Sequence, residues 1–232
     1  AGHYSSYPGV TYVAISEKQK RLAPHVPFQV VVHHGLSIDR YPLGTGAGRY
    51  CAFLGRLAPE KAPHLAMDAA RRAERPLRLG GEAQACAVPY FEREVAPRLG
   101  RGVEWLGEVG GRDKLELLRD AACLLFPIQW EEPFGLVMIE AMLVGTPVIA
   151  FPRGSVPEVV EEGVTGYVVR DVAEMAERIR TIDGLDRRRC RLRARERWSS
   201  ARMAREYLGL YQRVMARAAK PPRRGSAAER SA

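Results

Sequence analysis

The chain of 232 residues lacks any long hydrophobic run. No apolar stretch approaches the roughly 18 residues that a membrane-spanning helix needs. The N-terminal residues also lack the charged segment followed by an apolar one that marks a secretory leader. These absences exclude a transmembrane segment and predict a soluble, cytoplasmic protein. With 46% hydrophobic residues, the chain is long and apolar enough to bury one large core.

Cysteine is scarce, and neither cysteine nor histidine forms the pattern of a metal centre. The chain has no C-x-x-C pair among Cys51, Cys86, Cys123 and Cys190. Two of them lie in apolar, strand-like runs, where cysteine acts as a small hydrophobic residue. The adjacent His33 and His34 would point to opposite faces of a strand, and no carboxylate or cysteine stands at ligand spacing. We therefore expect structural thiols and no metal or cofactor.

Positive charge is concentrated at the C-terminal end. From Asp186 onward there are fifteen Arg or Lys against four Asp or Glu, a net +11, so the preceding residues carry −2 of the total of +9. The basic character therefore belongs to this segment and not to the main body of the chain. Because the arginines are not interleaved with exposed aromatic residues, we expect no nucleic-acid partner.

Residues 50–182 alternate short apolar segments with amphipathic ones. Strands are predicted at 50–54, 77–79, 103–106, 123–126, 148–151 and 166–169, and helices at 60–74, 89–95, 113–120, 135–144, 156–161 and 172–182. Such alternation is typical of a parallel sheet covered on both faces, a doubly wound, Rossmann-like α/β fold. Ligands of such sheets bind at the carboxyl ends of the strands, where the strand order reverses.

The flanking segments differ from this region. Short strands at 11–15 and 28–32 enclose a helix capped by Ser16. Residues 36–48 are rich in glycine and proline and resemble a linker. Glycines at 44, 46 and 48 do not form a dinucleotide fingerprint, because their spacing is wrong and they precede a strand. Residues 186–219 predict one or two helices, and the tail from Lys220 has a disordered composition.

A possible anion site follows the first strand of the regular region. Gly55 and Arg56 stand at the carboxyl end of that strand, and Lys61 stands near the start of the next helix. Two cations and free backbone amides at a helix start are suited to a phosphate. The alternative is a pair of solvated surface charges, and the segment lacks the form of a P-loop.

A second candidate segment runs from Glu131 to Met142. Its helix begins near Gly135, and the amides of Phe134, Gly135, Leu136 and Val137 could point at a diphosphate. Glu132 stands before the helix and Glu140 within it, flanked by apolar residues. An unpaired carboxylate in such surroundings costs several kcal/mol. Both could accept hydrogen bonds from vicinal hydroxyls; otherwise Glu132 is a surface acid and Glu140 is satisfied by neighbouring backbone.

Taken together, four motifs resemble the C-terminal half of a family 4 retaining glycosyltransferase of the GT-B fold. They are G-R-x-x-x-x-K at 55–61, E-P-F-G-x-x-x-x-E at 132–140, G-T-P-V-I-A at 145–150, and P-E followed by G-V-T-G at 157–166. The resemblance covers roughly residues 28–185. It departs from the family at Ala62, where a glycine commonly follows the lysine.

The resemblance implies a role for each candidate residue. Arg56 and Lys61 would bind the diphosphate of a UDP-, GDP- or ADP-sugar, and together with Glu132 they would be the catalytic residues. Glu132 would contact the donor sugar and Glu140 the ribose. Val109 would lie near the base, and the other donor-binding positions would be Gly55, Phe134, Gly135, Leu136 and Val137. Charge on the leaving diphosphate would be stabilised without a metal.

The resemblance also implies a missing partner, the N-terminal acceptor-binding domain. Residues 1–36 would be a remnant of that domain with the crossover, 37–185 the donor-binding domain, 186–219 the C-terminal helices and 220–232 a disordered tail. The predicted activity is hexosyl transfer from a nucleotide-sugar. The isolated fragment would be inactive. The resemblance also allows a peripheral contact with a membrane. The alternatives are a non-catalytic nucleotide-sugar-binding module and a GT-B epimerase, which the acidic pair disfavours.

Overall fold

The computed structural model describes Tyr7 and residues 10–218. The predicted tail from Lys220 and most of the N-terminal eight residues lie outside the described part. Eight strands occur in it: β1 Tyr12–Ala14, β2 Phe28–Val31, β3 Cys51–Leu54, β4 Leu77–Gly80, β5 Val103–Trp105, β6 Cys123–Phe126, β7 Val148–Ala150 and β8 Gly166–Val168.

The helices alternate with these strands as predicted. They are α1 Glu17–Leu22, α2 Pro63–Arg72, α3 Val88–Tyr90 with a π-helical continuation Phe91–Val95, α4 Gly111–Asp120, α5 Leu136–Leu143, α6 Val156–Val159, α7 Val172–Thr181, α8 Arg187–Arg197 and α9 Ser200–Ala218. No helix in the described residues is both long and apolar enough to span a bilayer.

Six parallel strands form the main sheet in the order β5-β4-β3-β6-β7-β8. This order is that of a doubly wound α/β fold, and it reverses direction between β3 and β6. The two strands pair directly, with Cys51 opposite Cys123. The loops that leave their carboxyl ends are the two candidate segments, 55–61 and 131–135, so the topology brings the predicted anion site and the acidic segment together.

Two hydrophobic layers enclose this sheet. Every residue of β6 and β7 is buried, because helices cover both faces. One layer centres on α5 and includes Met138, Ile139 and Trp198. The other centres on α2 and includes Met67 and Leu79. The predicted run of short apolar strands therefore forms a continuous core.

Helix α2 begins three residues later than predicted. Ala62, its N-cap, has a left-handed backbone with φ of 51° and ψ of 50°, and Pro63 follows as the first helical residue. A proline fits at that position because its missing N–H would have had no helical partner. Residues 60–62 therefore belong to the loop, and this keeps Lys61 in the loop at the end of β3.

A separate two-stranded parallel sheet, β1 with β2, lies outside the main sheet. Helix α9 lies along it, and Leu210 is 5% exposed. The chain passes between the two parts twice, once at residues 33–36 and once at 198–200. The Leu36 amide donates to the Trp198 carbonyl at 2.8 Å and the Ser200 amide to the Leu36 carbonyl at 2.9 Å, so the two passes run side by side.

Arg187, the first residue of α8, has a structural role. Arg187 donates to the carbonyls of Gly44, Arg119 and Ala121 and to the Thr146 hydroxyl, at 2.7–3.2 Å. Burial lowers the pKa of its guanidinium. Helix α8, which lies in the most basic segment of the sequence, thus holds the linker 36–48 against the main domain.

Candidate functional site

Gly55 directly follows β3, at a place where the chain comes close to the end of β4. Its amide donates to the Gly80 carbonyl at 3.0 Å. A Cβ on Gly81, whose φ is +149°, would lie 1.9 Å from the Gly55 carbonyl oxygen. Only glycine fits there, since both the space and the backbone conformation exclude a side chain. The backbones that leave β3 and β4 therefore approach each other closely at Gly55 and Gly81.

Arg56 directly follows this close approach in the sequence. Its guanidinium pairs with Glu60 at 2.8 Å and donates to the Gln84 Oε1 at 3.1 Å. The side chain is 47% exposed, so the pair contributes little to stability and can be exchanged. Its described contacts do not include Lys61 or Glu132, although all three residues lie on the loops that leave β3 and β6.

Lys61 and Glu132 form a direct ion pair that bridges the two candidate segments. The Lys61 Nζ donates to the Glu132 Oε2, and the two side chains are only 16% and 13% exposed. The Trp130 indole N–H donates to the same oxygen at 3.0 Å, and the Lys61 ammonium lies 5.1 Å from the centre of the Trp130 ring. Glu132 is therefore a paired, half-buried carboxylate and not the isolated surface acid of the alternative interpretation.

The start of α5 is an uncapped helix N-terminus. Gly135 is the N-cap with φ of +78°, and it makes no side-chain capping bond. The Met138 amide donates to the Gly135 carbonyl at 3.0 Å. The amides of Leu136 and Val137 precede the first intrahelical bond and are left for solvent or an anion. Leu136 itself is 45% exposed, which keeps the helix end accessible.

Phe134 anchors this helix end and does not line an opening. It is 2% exposed, and its ring lies 5.0 Å from that of His34 and 5.7 Å from that of Trp198. The Ser155 hydroxyl donates to its carbonyl at 2.7 Å. Burial, and then the neighbouring His33, lower the pKa of His34. Among the predicted positions, Phe134 can therefore offer a ligand its backbone only.

Glu140 has two side-chain partners that the sequence did not predict. The Lys114 Nζ donates to its Oε1 at 2.6 Å and the Tyr41 hydroxyl donates to the same oxygen at 3.2 Å. The Glu140 side chain is 12% exposed. The alternative in which neighbouring backbone satisfies this carboxylate is wrong, because its partners come from α4 and from the linker.

Val109 lies before α4 and packs against the core cluster around α5. A Cβ on Gly80 would lie 2.4 Å from its Cγ2, so the end of β4 and the loop after β5 touch. The proposed contact of Val109 with a base stays a prediction.

Three residues near the site were not predicted from the sequence: Tyr41, Lys114 and Trp130. Trp130 could have been found from the sequence, since it immediately precedes Glu131 and Glu132. Lys114 lies one helical turn after Gly110, the N-cap of α4. Tyr41 could not have been found, because it stands in a linker 99 positions away from Glu140.

His33 and the buried cysteines Cys51 and Cys123 have structural contacts. His33 Nε2 lies 3.1 Å from Glu158 Oε2. The buried Cys51 and Cys123 thiols are 3.5 Å apart on paired strands, and Cys86 is exposed. The hydrogen bond with Cys51 and burial raise the pKa of Cys123. Within the described part of the chain, no group of three His, Cys, Asp or Glu residues is placed to hold a metal ion.

The sheet order, with both candidate loops at its reversal, defines a Rossmann-like domain. Residues 48–182 match the family model described as "Glycosyl transferases group 1". Because this match covers more than half of the chain, the protein belongs to that family.

Curated relatives agree with the family assignment. D-inositol 3-phosphate glycosyltransferase of Mycobacterium sp. (strain KMS) is 34% identical over 173 residues, which cover 67% of this chain and 38% of that protein. The protein of the same name from Streptomyces scabiei (strain 87.22) is 32% identical over 165 residues, covering 60% and 37%. The chain therefore spans well under half the length of these relatives.

Solved structures show the same fold. AviGT4, a glycosyltransferase involved in avilamycin A biosynthesis, matches with a TM-score of 0.77 and 28% identity over 88% of this chain and 64% of that one. Anabaena Alr3699/HepE in complex with UDP and glucose matches with a TM-score of 0.75 and 22% identity over 88% and 63%. The expected fold, the Rossmann-like C-terminal half of a GT-B glycosyltransferase, is confirmed.

Proposed function

We propose that the chain is the donor-binding half of a retaining family 4 glycosyltransferase and that it binds a nucleotide-sugar at the carboxyl ends of β3 and β6. The observation that carries this proposal is the contact of Lys61 with Glu132 beside the uncapped start of α5. It brings a cation and a carboxylate together next to free helix amides, which suits a diphosphate linked to a polyhydroxylated sugar. UDP and glucose bound to a protein of the same fold add support.

In this proposal Lys61, Arg56 and the α5 amides hold the diphosphate. When the anomeric carbon exchanges its bond to the diphosphate oxygen for a bond to an acceptor hydroxyl oxygen, the electron pair of the broken bond stays on the diphosphate, which gains negative charge. The hydroxyl proton passes to the diphosphate or to solvent. Preorganised cations and amides stabilise the negative charge, and the stabilisation is greatest in the transition state. These residues supply the positive charge without a metal ion, and Glu132 accepts hydrogen bonds from the sugar.

Binding measurements test the donor site. UDP-, GDP- and ADP-sugars are titrated into the protein by calorimetry. We expect one of them to bind and the double variant Arg56→Ala with Lys61→Ala to weaken binding at least about tenfold, since hydrogen bonds to charged groups contribute roughly 1.5–3 kcal/mol. The matched control removes two exposed cations elsewhere, Arg93→Ala with Arg170→Ala, whose side chains are 71% and 85% exposed. Absence of binding by all three donors, or equal affinity in both double variants, contradicts the proposal.

Binding without turnover is the second candidate, favoured by the share of the relatives' length that this chain spans. We propose that transfer also needs an acceptor-binding half and that the isolated chain is inactive. Release of nucleoside diphosphate from a bound donor is the measurement. Turnover by the chain alone with a simple sugar acceptor would contradict the proposed inactivity of the isolated chain. It would not contradict the proposed donor site.

A further inference from the structure

The hydrogen bonds of Glu140 are divided unequally between its two oxygens. Both described donors, the Lys114 ammonium at 2.6 Å and the Tyr41 hydroxyl at 3.2 Å, reach Oε1. Across the described residues, no hydrogen bond reaches Oε2. A carboxylate that is 12% exposed and flanked by the fully buried Ile139 and Ala141 would ordinarily use both oxygens. Oε2 is thus the oxygen that remains for a ligand.

The two donors are themselves fixed by other contacts. The Tyr41 carbonyl accepts from the Arg191 Nη2 of α8 at 2.8 Å, which holds the middle of the linker against that helix. Lys114 lies on α4, and its amide donates to the Gly110 carbonyl at 3.2 Å. Burial, and then Glu140, raise the pKa of Tyr41 to about 12, so the phenol is protonated and acts as a donor. Glu140 is therefore clamped from two separate elements.

We propose that Lys114 and Tyr41 are positioning residues that hold Glu140 through Oε1, leaving Oε2 for the ribose hydroxyls of the donor, and so set the preference for ribose over deoxyribose. The inference rests on the proposed function, and it takes the ribose-binding role of Glu140 from the family resemblance of the sequence. Lys114 has the larger part, since a charge-assisted bond at 2.6 Å restrains the carboxylate more strongly than a neutral hydroxyl at 3.2 Å.

The expected consequence is selective. Without Lys114, the carboxylate can rotate and Oε1 competes with Oε2 for the same hydroxyl, so the ligand's hydroxyl finds a less ordered acceptor. A ligand that lacks the hydroxyl loses nothing by this change. The ratio of affinities for ribose and deoxyribose forms should fall, while the affinity for the deoxy form stays nearly constant. A general loss of structure would weaken both forms together.

Calorimetry with UDP, GDP and ADP, each compared with its 2′-deoxy and 3′-deoxy forms, measures this ratio. We expect the unsubstituted protein to prefer the ribose form by about tenfold or more, the value of one hydrogen bond to a charged group. Lys114→Met should lower the ratio by about threefold or more and Tyr41→Phe by about twofold, with Lys114→Arg partly restoring it, because a cation near Oε1 is regained.

The matched control is Arg112→Met on the same helix, whose side chain is 87% exposed and paired with Glu116. It should leave the ratio unchanged. A thermal melt of each variant checks that it is folded. If Glu140→Gln lowers the ratio but Lys114→Met and Tyr41→Phe do not, the positioning role is overturned and the proposed function stands. If Glu140→Gln has no effect, or none of the nucleotides binds, the assignment of Glu140 to the ribose fails and the inference fails with it.

Discussion

The main sheet and the small β1–β2 sheet are both parallel, yet they are stabilised in different ways. In β6 every residue is buried between two helical layers. In β1 and β2 only Ala14 is buried, and Gln29 is exposed. Parallel strands are usually covered on both faces, and a two-stranded sheet is marginal by itself. The first region therefore has its own core, whereas the second depends on what attaches it.

Those attachments are mostly polar. The Glu158 carboxylate accepts from the amides of Glu17 at 2.8 Å and Lys18 at 2.7 Å, and from His33. Lys18 pairs with Glu131 at 2.9 Å. Arg202 donates to the carbonyls of His33 and His34 at 2.7 and 2.9 Å. A hydrogen bond contributes less to the free energy of unfolding than a fully buried core side chain does. We therefore expect the small sheet to open before the main one.

The largest predicted effect is in the main core. Leu124→Ala in β6 should lower the free energy of unfolding by about 2–5 kcal/mol, because the site is fully buried and cannot collapse around a cavity. Val30→Ala in β2, which is half-buried, should lower it by about 1 kcal/mol or less. Denaturant unfolding of both variants measures the contrast. Equal losses would mean that the two sheets form one cooperative core.

A smaller, local effect is expected at Glu158. Replacing it with Gln removes the charged acceptor that holds the first turn of α1, so the opening free energy there should fall by about 1.5–3 kcal/mol. Amide hydrogen exchange should speed up at Glu17 and Lys18 and stay slow in β6. The control Glu177→Gln removes an exposed carboxylate of α7. Exchange that accelerates equally in β6 would show that Glu158 supports the whole fold.

The smallest predicted change is a gain in the main domain. Ala62 holds a left-handed backbone that costs an L residue roughly 1–2 kcal/mol, and glycine adopts it freely at some cost in unfolded-state entropy. Ala62→Gly should therefore raise the free energy of unfolding by about 0.5–1 kcal/mol. Thermal unfolding measures it. A decrease would mean that the Ala62 methyl, which is fully buried, contributes more by packing than its backbone costs.

The sequence predicted the main sheet well because each buried parallel strand is a short apolar run with a helix on either side. The bounds of β6 were predicted without error and those of β3, β4, β5, β7 and β8 to within a residue. The π-helical end of α3 and the late start of α2 were missed. The second follows from Ala62, whose left-handed conformation has no sequence signal when the residue is not glycine.

The candidate site was predictable in its residues and not in their pairing. Lys61, Glu132 and Glu140 stand at motif positions. The partners of Glu140 could not be found, because Tyr41 and Lys114 meet it only after the linker and α4 pack around α5. Contacts between residues far apart in sequence depend on the completed fold. The donor-binding roles of Lys61, Glu132 and Glu140 stay predictions, as do those of Arg56, Val109 and the α5 amides.

The pairing of the loop charges has one more consequence. Lys18, Arg56 and Lys61 each pair with their own carboxylate, Glu131, Glu60 and Glu132. In the proposed donor complex, a diphosphate that pairs with Arg56 and Lys61 displaces Glu60 and Glu132, and these carboxylates then need new donors. The hydroxyls of the donor sugar can donate to them, whereas a nucleoside diphosphate has only its ribose hydroxyls, which the proposal assigns to Glu140. We therefore expect a ligand that carries both a diphosphate and a sugar to bind more tightly than the affinities of its separate parts would indicate.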